Sequence, residues 1–426
     1  MDGADALWRR EERTSVAFES GRLKTAGVTE ETGVNLRVVA GGRTGVAGTT
    51  AAAPDLLELI ARARASAELG EALELAFPPA AALPHITTHF DRAANASLDD
   101  LIRMGRALVE RLARDGCQVN VAIERELGET ALGNSAGARG GYRASAVAVT
   151  AEVIRIAAAD VLMIYDQYLG AELLGDGDLD ALVRSIELRL EPALTVVAPP
   201  EGALPVVFTP AGLAAVLLPL EQALSGKTVL QGSSPLAGKI GEQTFDARFS
   251  VTDDPLAPGR PASRPIDDEC VPSAPTPLVE RGVVCRFVYD LETAALANAR
   301  STGHGRRGIF GKPHIRYTNL IVGSGPNVVP LQLGGGLIAD ITDGLVVDDL
   351  IGVGQGNVIG GGFSHPVGLA YRVERGEITG RVKDAAVAGN VYDLLKGIAG
   401  FGADGRWLGS RWSPSLRLEG VSVARR

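Results

Sequence analysis

Between positions 34 and 39 apolar and polar residues alternate, with Val34, Leu36 and Val38 set against Asn35, Arg37 and Val39. That period of two marks a half-buried strand. Gly41-Gly42 then supplies a turn into a second strand over 44–49. After Pro54 and Asp55 the period changes, and Leu56, Leu59, Ile60, Ala63 and Ala67 recur at helical spacing. Ser97, with Asp100 three residues on, is a good N-cap for a second helix. Its apolar face is Leu101, Met104, Leu108 and Leu112, and Gly116 ends it. Strands are expected through Val119, Val121 and Ile123 and over 142–150, followed by a helix over 178–190 with a boundary near Pro192.

The stretch 193–220 is apolar enough to raise a membrane question, but Pro199, Pro200, Glu201, Gly202, Pro205 and Pro210 interrupt it. A bilayer span needs unbroken hydrogen-bonded helix, so the stretch reads as a strand, a turn, a second strand over 205–208 and a buried helix. Beyond it glycine and proline increase. Seven prolines between 255 and 277 predict a long loop, functional or flexible rather than a simple turn. Short strands are expected over 283–289, 319–322, 345–347 and 369–373. Arg375-Gly376 should turn into a strand over 377–382, and Leu416, Leu418, Val421 and Val423 form a last one. The fold class is α+β: an N-terminal α/β domain over 1–195 with a curved, mainly antiparallel sheet and helices, then a β-rich C-terminal domain over 196–426.

With 46% hydrophobic and 22% charged residues, a 426-residue chain can bury a sizeable core. A formal net charge of -9 argues against general affinity for nucleic acid or anionic membrane, which use clustered Lys and Arg. Residues 1–13 are polar, without the apolar run of a secretory signal. Cys117, Cys270 and Cys285 are odd in number and far apart, which suggests no disulfide framework and fits a reducing cytoplasm.

Several motifs have chemistry to weigh. Gly226-Lys227-Thr228 ends like a phosphate-binding loop, but Glu221 stands where its first glycine belongs. His85 and His89 are four apart, as two zinc ligands on a helix would be, yet Ile86 follows His85 where a catalytic Glu is needed, and two threonines after Pro84 weaken the helix. Asp267-Asp268-Glu269 is an acid cluster that reads as a solvated loop or, less simply, a hard-cation site. Ser301-Thr302-Gly303-His304-Gly305-Arg306-Arg307-Gly308 joins hydroxyls, an imidazole and two guanidiniums on flexible backbone. Such a loop could hold a carboxylate, a peptide or a partner.

Residues 19–50, with the Gly42-Arg43-Thr44-Gly45 turn, resemble the opening module of the TldD/TldE (PmbA) family. So do 205–252 with Gly238-Lys239-Ile240-Gly241-Glu242, then Asp253-Asp254-Pro255, Asp267-Asp268-Glu269, Ser301-Thr302-Gly303-His304, Glu374-Arg375-Gly376-Glu377-Ile378, Ala388-Gly389-Asn390 and Pro414-Ser415. The resemblance implies, for TldD-type members, a zinc peptidase with H-E-x-x-x-H and a cysteine ligand near the C-terminus. Here Pro219-Leu220-Glu221-Gln222-Ala223-Leu224 stands in that place, and no cysteine follows Cys285. This is similar to the TldE/PmbA type. It implies a non-catalytic, metal-free subunit of a heteromeric metallopeptidase that processes unfolded or modified peptides, with zinc in a TldD-like partner and no cofactor in this chain. Cys270 stands where the family usually has Gly. Two alternatives remain: a self-standing hydrolase using His85 and His89 or the His304 loop, and a peptide-binding scaffold that forms a homodimer when alone.

Overall fold

The computed structural model describes residues 2–158, 160–323 and 332–426. Its first half is built on a six-stranded antiparallel sheet of order β3-β2-β1-β4-β5-β6. The strands are β1 (Gly3–Glu19), β2 (Arg22–Ala40), β3 (Arg43–Thr49), β4 (Cys117–Asn134), β5 (Arg139–Ala157) and β6 (Asp160–Gly170). Four of these exceed sixteen residues, so at about 3.3 Å per residue they run for roughly 55 Å or more. The polar N-terminal stretch is the centre of this sheet: β1 pairs with β2 on one side and β4 on the other.

The helices fall close to where the periodicity puts them. Asp55 caps Leu56–Glu68, its Oδ1 accepting from the Leu57 amide at 2.9 Å. Ser97 and Asp100 form a reciprocal capping box on Leu98–Leu112, satisfying amides that the first turn leaves without partners. Leu101, Leu108 and Leu112 of that helix pack on Val16, Phe18, Val121 and Ile123 of the sheet. Gly105 admits the Phe18 ring; a Cβ there would lie 2.4 Å from it. The helix Asp176–Ala193 carries Pro192 inside its last turn rather than beyond its end.

The second half holds an eight-stranded mixed sheet, in which Asp343–Leu350 runs parallel to Gly202–Phe208 and antiparallel to Gly362–Glu374. Those two pairings, with Leu416–Arg425 and Ala385–Asn390 between, close five strands into a ring. A smaller sheet contains Val251–Asp253, Thr276–Glu280 and Leu320–Val322. The strand expected over 283–289 shrinks to Val283–Val284. Alternate residues of the ring face different cores. Val206, Phe208, Leu345 and Val347 pack with the helix Ala214–Ala223, whereas Val207, Val346 and Tyr371 join Ile186 and Leu190 of the first half. Apolar packing therefore crosses position 195.

Candidate functional site

The expected loop over 255–277 has no helix and little strand, but it is not solvated. Asp267, Asp268 and Glu269 are fully buried beneath β1 and β2, and a solvated acid loop is ruled out by the charges that meet them. Arg37 of β2 donates from Nη1 to Glu269 Oε1 at 2.6 Å and from Nη2 to Asp5 Oδ2 at 2.6 Å. Arg9 of β1 donates to Asp268 Oδ2 at 3.0 Å and to the Arg307 carbonyl at 3.0 Å. Asp267 accepts from the backbone amides of Glu269, Val271 and Gly305.

The structure also brings the Ser301–Arg307 string to this acid triplet. The Arg307 amide donates to Asp268 Oδ2 at 2.9 Å, and Arg307 Nη1 donates to Asp5 Oδ1 at 2.9 Å. Gly305 is needed for the approach, because a Cβ there would lie 2.4 Å from Glu269 Oε2. His304 is 2% exposed. Its Nδ1 lies 2.9 Å from both the Thr302 carbonyl and the Thr302 hydroxyl, and its Nε2 lies 3.1 Å from Asp253 Oδ2 without hydrogen-bond alignment. The Thr302 hydroxyl in turn accepts from the Tyr289 amide and donates to the Tyr289 carbonyl. Ser301 donates to that same carbonyl, and Gly303 takes a positive φ of 76°. A hydroxyl, an imidazole and a carboxylate thus stand in line, but the hydroxyl is spent on backbone and the ring is closed to solvent, so the trio lacks a free nucleophile.

Burial sets the electrostatics of this seam. It would raise the Asp268 carboxyl, but Arg306, then Arg9 and Arg264, outweigh it and hold the group down at about 2. Burial pushes the Glu269 carboxyl up, helped by Asp267 and Asp290 and opposed by Arg37. Cys270 sits at φ 65°, in the left-handed region that favours glycine, and burial pushes its thiol up to about 12. Such a thiol is inert.

Of the Ser301–Arg307 string, Arg306 alone lines an adjoining cavity of about 250 Å³, which also touches Arg9, Arg264 and Arg316. A second cavity of about 200 Å³ reaches the helix Ala214–Ala223 at Ala214 and Leu217, with Tyr165, Arg189, Asp348 and Asp349 around it. Arg189 there pairs with Asp348 at 3.0 Å and Asp166 at 3.2 Å.

The residues assigned by resemblance to the zinc motif lie on or just past that helix. Pro219, Leu220 and Leu224 are buried, the two leucines at 1% exposure, among Phe208, Phe249 and Val288. They do not fit a zinc ion, because a prolyl ring and two isobutyl groups offer no lone pair. Glu221 is held by Arg411 at 2.9 Å. His85 and His89 lie in a non-helical segment, His85 exposed and His89 half-buried. Among the described residues no three His, Cys, Asp or Glu side chains gather as a metal site.

Sequence reasoning missed Asp5, Arg9, Arg37 and Arg264. Their signal is an even spacing of charge within strands, Asp5 with Arg9 on β1 and Asn35 with Arg37 on β2, which places polar groups on one buried face.

The model described as PmbA/TldA metallopeptidase domain 1 matches residues 4–67, and that described as PmbA/TldA metallopeptidase C-terminal domain matches residues 201–425. The metalloprotease TldD homolog of Haemophilus influenzae is 32% identical over 229 residues, 53% of this chain and 46% of that protein. The metalloprotease PmbA homolog of the same organism is 29% identical over 222 residues, 52% of this chain and 46% of that one. The chain spans about half the length of the curated relatives it matches. The crystal structure of TldE from Thermococcus kodakarensis shares the fold, with a TM-score of 0.88 at 24% identity, covering 100% of this chain and 97% of that one.

Proposed function

This chain belongs to the PmbA/TldD metallopeptidase family, and we propose that it serves there as a metal-free subunit beside a zinc-bearing TldD-type chain, acting on unfolded or modified peptides. The observation that carries this reading is the helix Ala214–Ala223 and its end. The side chains at the motif positions are aliphatic and buried, Leu220 and Leu224 in the main core, and they offer no lone pair to a cation or to the water it would activate. The presence of both a TldD and a PmbA homolog in Haemophilus influenzae supports a division of labour of this kind. A metalloprotease function belongs by name to those relatives; for this chain it enters through the partner.

The work left to this chain is to bind and orient. β6 is the outer strand of its sheet, and Val161, Met163 and Tyr165 on it are about half exposed. An extended peptide can add to such an edge by main-chain hydrogen bonds, a mode that selects unstructured chains over folded ones. No helix among the described residues is long and apolar enough to cross a membrane. Three dispersed free cysteines favour a reducing, cytoplasmic setting.

The test is cleavage of an unstructured peptide by a TldD-type chain from the same genome, alone and mixed with this one. Faster or more selective cleavage on mixing supports the subunit reading. Cleavage unchanged at any ratio, with no association, overturns it.

A further inference from the structure

The cavity of about 250 Å³ between the two halves has more positive charge than its own acids neutralise. Arg9, Arg264, Arg306 and Arg316 line it against Glu11 and Glu126. The acids are largely committed: Glu126 pairs with Arg13 at 3.0 Å, and Glu11 lies 3.7 Å from Arg9. Burial, together with Glu126, raises the Glu11 carboxyl against the opposing pull of Arg9, Arg306 and Arg13. Asp268, behind the wall, takes Arg9 at 3.0 Å and Arg306 at 3.3 Å.

Arg264 is left over. It is 5% exposed, and its Nε and Nη2 have no hydrogen-bond partner among the described residues. The charge of Arg264 is felt by Asp267 and Asp268, but those oxygens are bound by other donors. A buried guanidinium with two unpaired nitrogens is costly to keep, so a wall that keeps one is built for something that arrives. At the exposed mouth, Arg316 is itself disfavoured as a cation by burial and by its neighbours Arg306 and Arg264. An anion between Arg264 and Arg316 would relieve both.

The source of the anion is indicated by what lies alongside. The 200 Å³ cavity takes its lining from Met163 to Gln167 of β6, a third cavity from Asp166 to Leu169, and the arginine cavity begins at Leu169. Three cavities therefore follow one edge strand for seven residues, roughly 20 Å at strand rise. A cavity of 250 Å³ is smaller than a typical whole-ligand site and suits a single terminal group.

We propose that this cavity is an oxyanion site that receives the carboxylate of an extended peptide lying along β6, with Arg264 as its buried anchor and Arg316 closing the mouth. The inference rests on the peptide-handling role proposed above and adds to it a chemical preference: peptides that end in a free carboxylate, or carry an acid at that register.

The experiment uses the full chain and fluorescence anisotropy of a dye-labelled, unstructured Gly/Ser/Ala peptide with a free C-terminal carboxylate, and of the same peptide amidated. The acid form should bind roughly tenfold more tightly, the value of one good charge-assisted contact. Arg264→Gln should bring the acid form down to the amide and leave the amide unchanged. The Arg264 charge also steadies the buried Asp267 and Asp268, so a lower melting temperature is expected in this variant and is scored apart from the difference between acid and amide. Arg316→Gln, at an exposed position, gives a second reading with no risk to the fold and should lose part of the same preference. Equal binding of acid and amide overturns the proposal. An equal loss for both peptides in Arg264→Gln also overturns it, as does inorganic phosphate binding while the peptides are indifferent. Stimulation of the TldD-type chain is scored separately. Stimulation without carboxylate preference removes the site and keeps the subunit role, whereas preference without stimulation does the reverse.

Discussion

The helix Ala214–Ala223 and the seam beneath β1 and β2 are buried to the same degree, yet they are made of opposite materials. Around the helix, Phe208, Leu220 and Phe249 pack into the main apolar core. In the seam, Asp5, Arg37, Asp268, Glu269 and Arg307 meet one another, each at 5% exposure or less. An apolar core tolerates reshaping as long as volume is kept, whereas a buried ionic network stands or falls by complete pairing. In a family of metallopeptidases, the apolar character of the helix is what makes this chain a candidate for a supporting role. The seam is what ties the long sheet to the second half.

The sharpest way to break the comparison is Arg37→Met, which strands Glu269 without its guanidinium and leaves Asp5 to Arg307 alone. It should cost about 3–5 kcal/mol, read as a fall in the urea midpoint. Adding Glu269→Met, which removes the stranded acid and leaves Asp5 to Arg307 at 2.9 Å, should recover much of that loss. Leu220→Ala in the apolar region should cost about 3 kcal/mol, the middle of the range for a buried leucine, and no second substitution at a distance should restore it.

The acid limb of stability separates the two regions next. Asp268 is held down at about 2 by its arginines against an ordinary value of 3.8. Its contribution is therefore fully present above pH 4 and is lost as pH falls towards 2, a change of about 2 kcal/mol. Chemical unfolding measured across that interval should show the loss in the wild type. In Asp268→Asn, less stable at neutral pH, this part of the slope should be missing.

The apolar region was legible and the seam was not, for one physical reason. Hydrophobic periodicity reports which face leaves water, so Leu59, Leu101 and Leu108 were placed on buried faces from spacing alone. The same rule sends charges outward. It assigned Val34 and Leu36 to the buried face of β2, where both are only half-buried against the helix Leu56–Glu68, and it turned Asn35 and Arg37 to water, where both are buried. β1 was passed over entirely, because a strand whose two faces carry Asp5, Arg9, Arg10, Glu11 and Glu12 reads as a polar terminus. The strings 267–269 and 301–307 were singled out in the sequence, but their burial depends on partners in β1 and β2 more than two hundred residues away. No local pattern contains that.

Smaller effects sharpen the picture. Cys270→Gly exchanges strain at φ 65° for a lost buried side chain packed near Leu7 and Ile266. The two terms are each about 1 kcal/mol and oppose, so the midpoint should shift by less than about 1 kcal/mol. Lys239→Ala breaks an exposed pair with Glu242 and should change stability by no more than about 0.5 kcal/mol, the control that shows the seam's charges are unlike those at the surface.

The account turns on where the metal resides. Zinc content of this chain, purified alone and dialysed against trace zinc at neutral pH, tests it most directly. The expected result is a substoichiometric, readily exchanged amount, with stoichiometric zinc appearing only when a TldD-type chain is added. One tightly held equivalent in this chain alone would contradict the metal-free role.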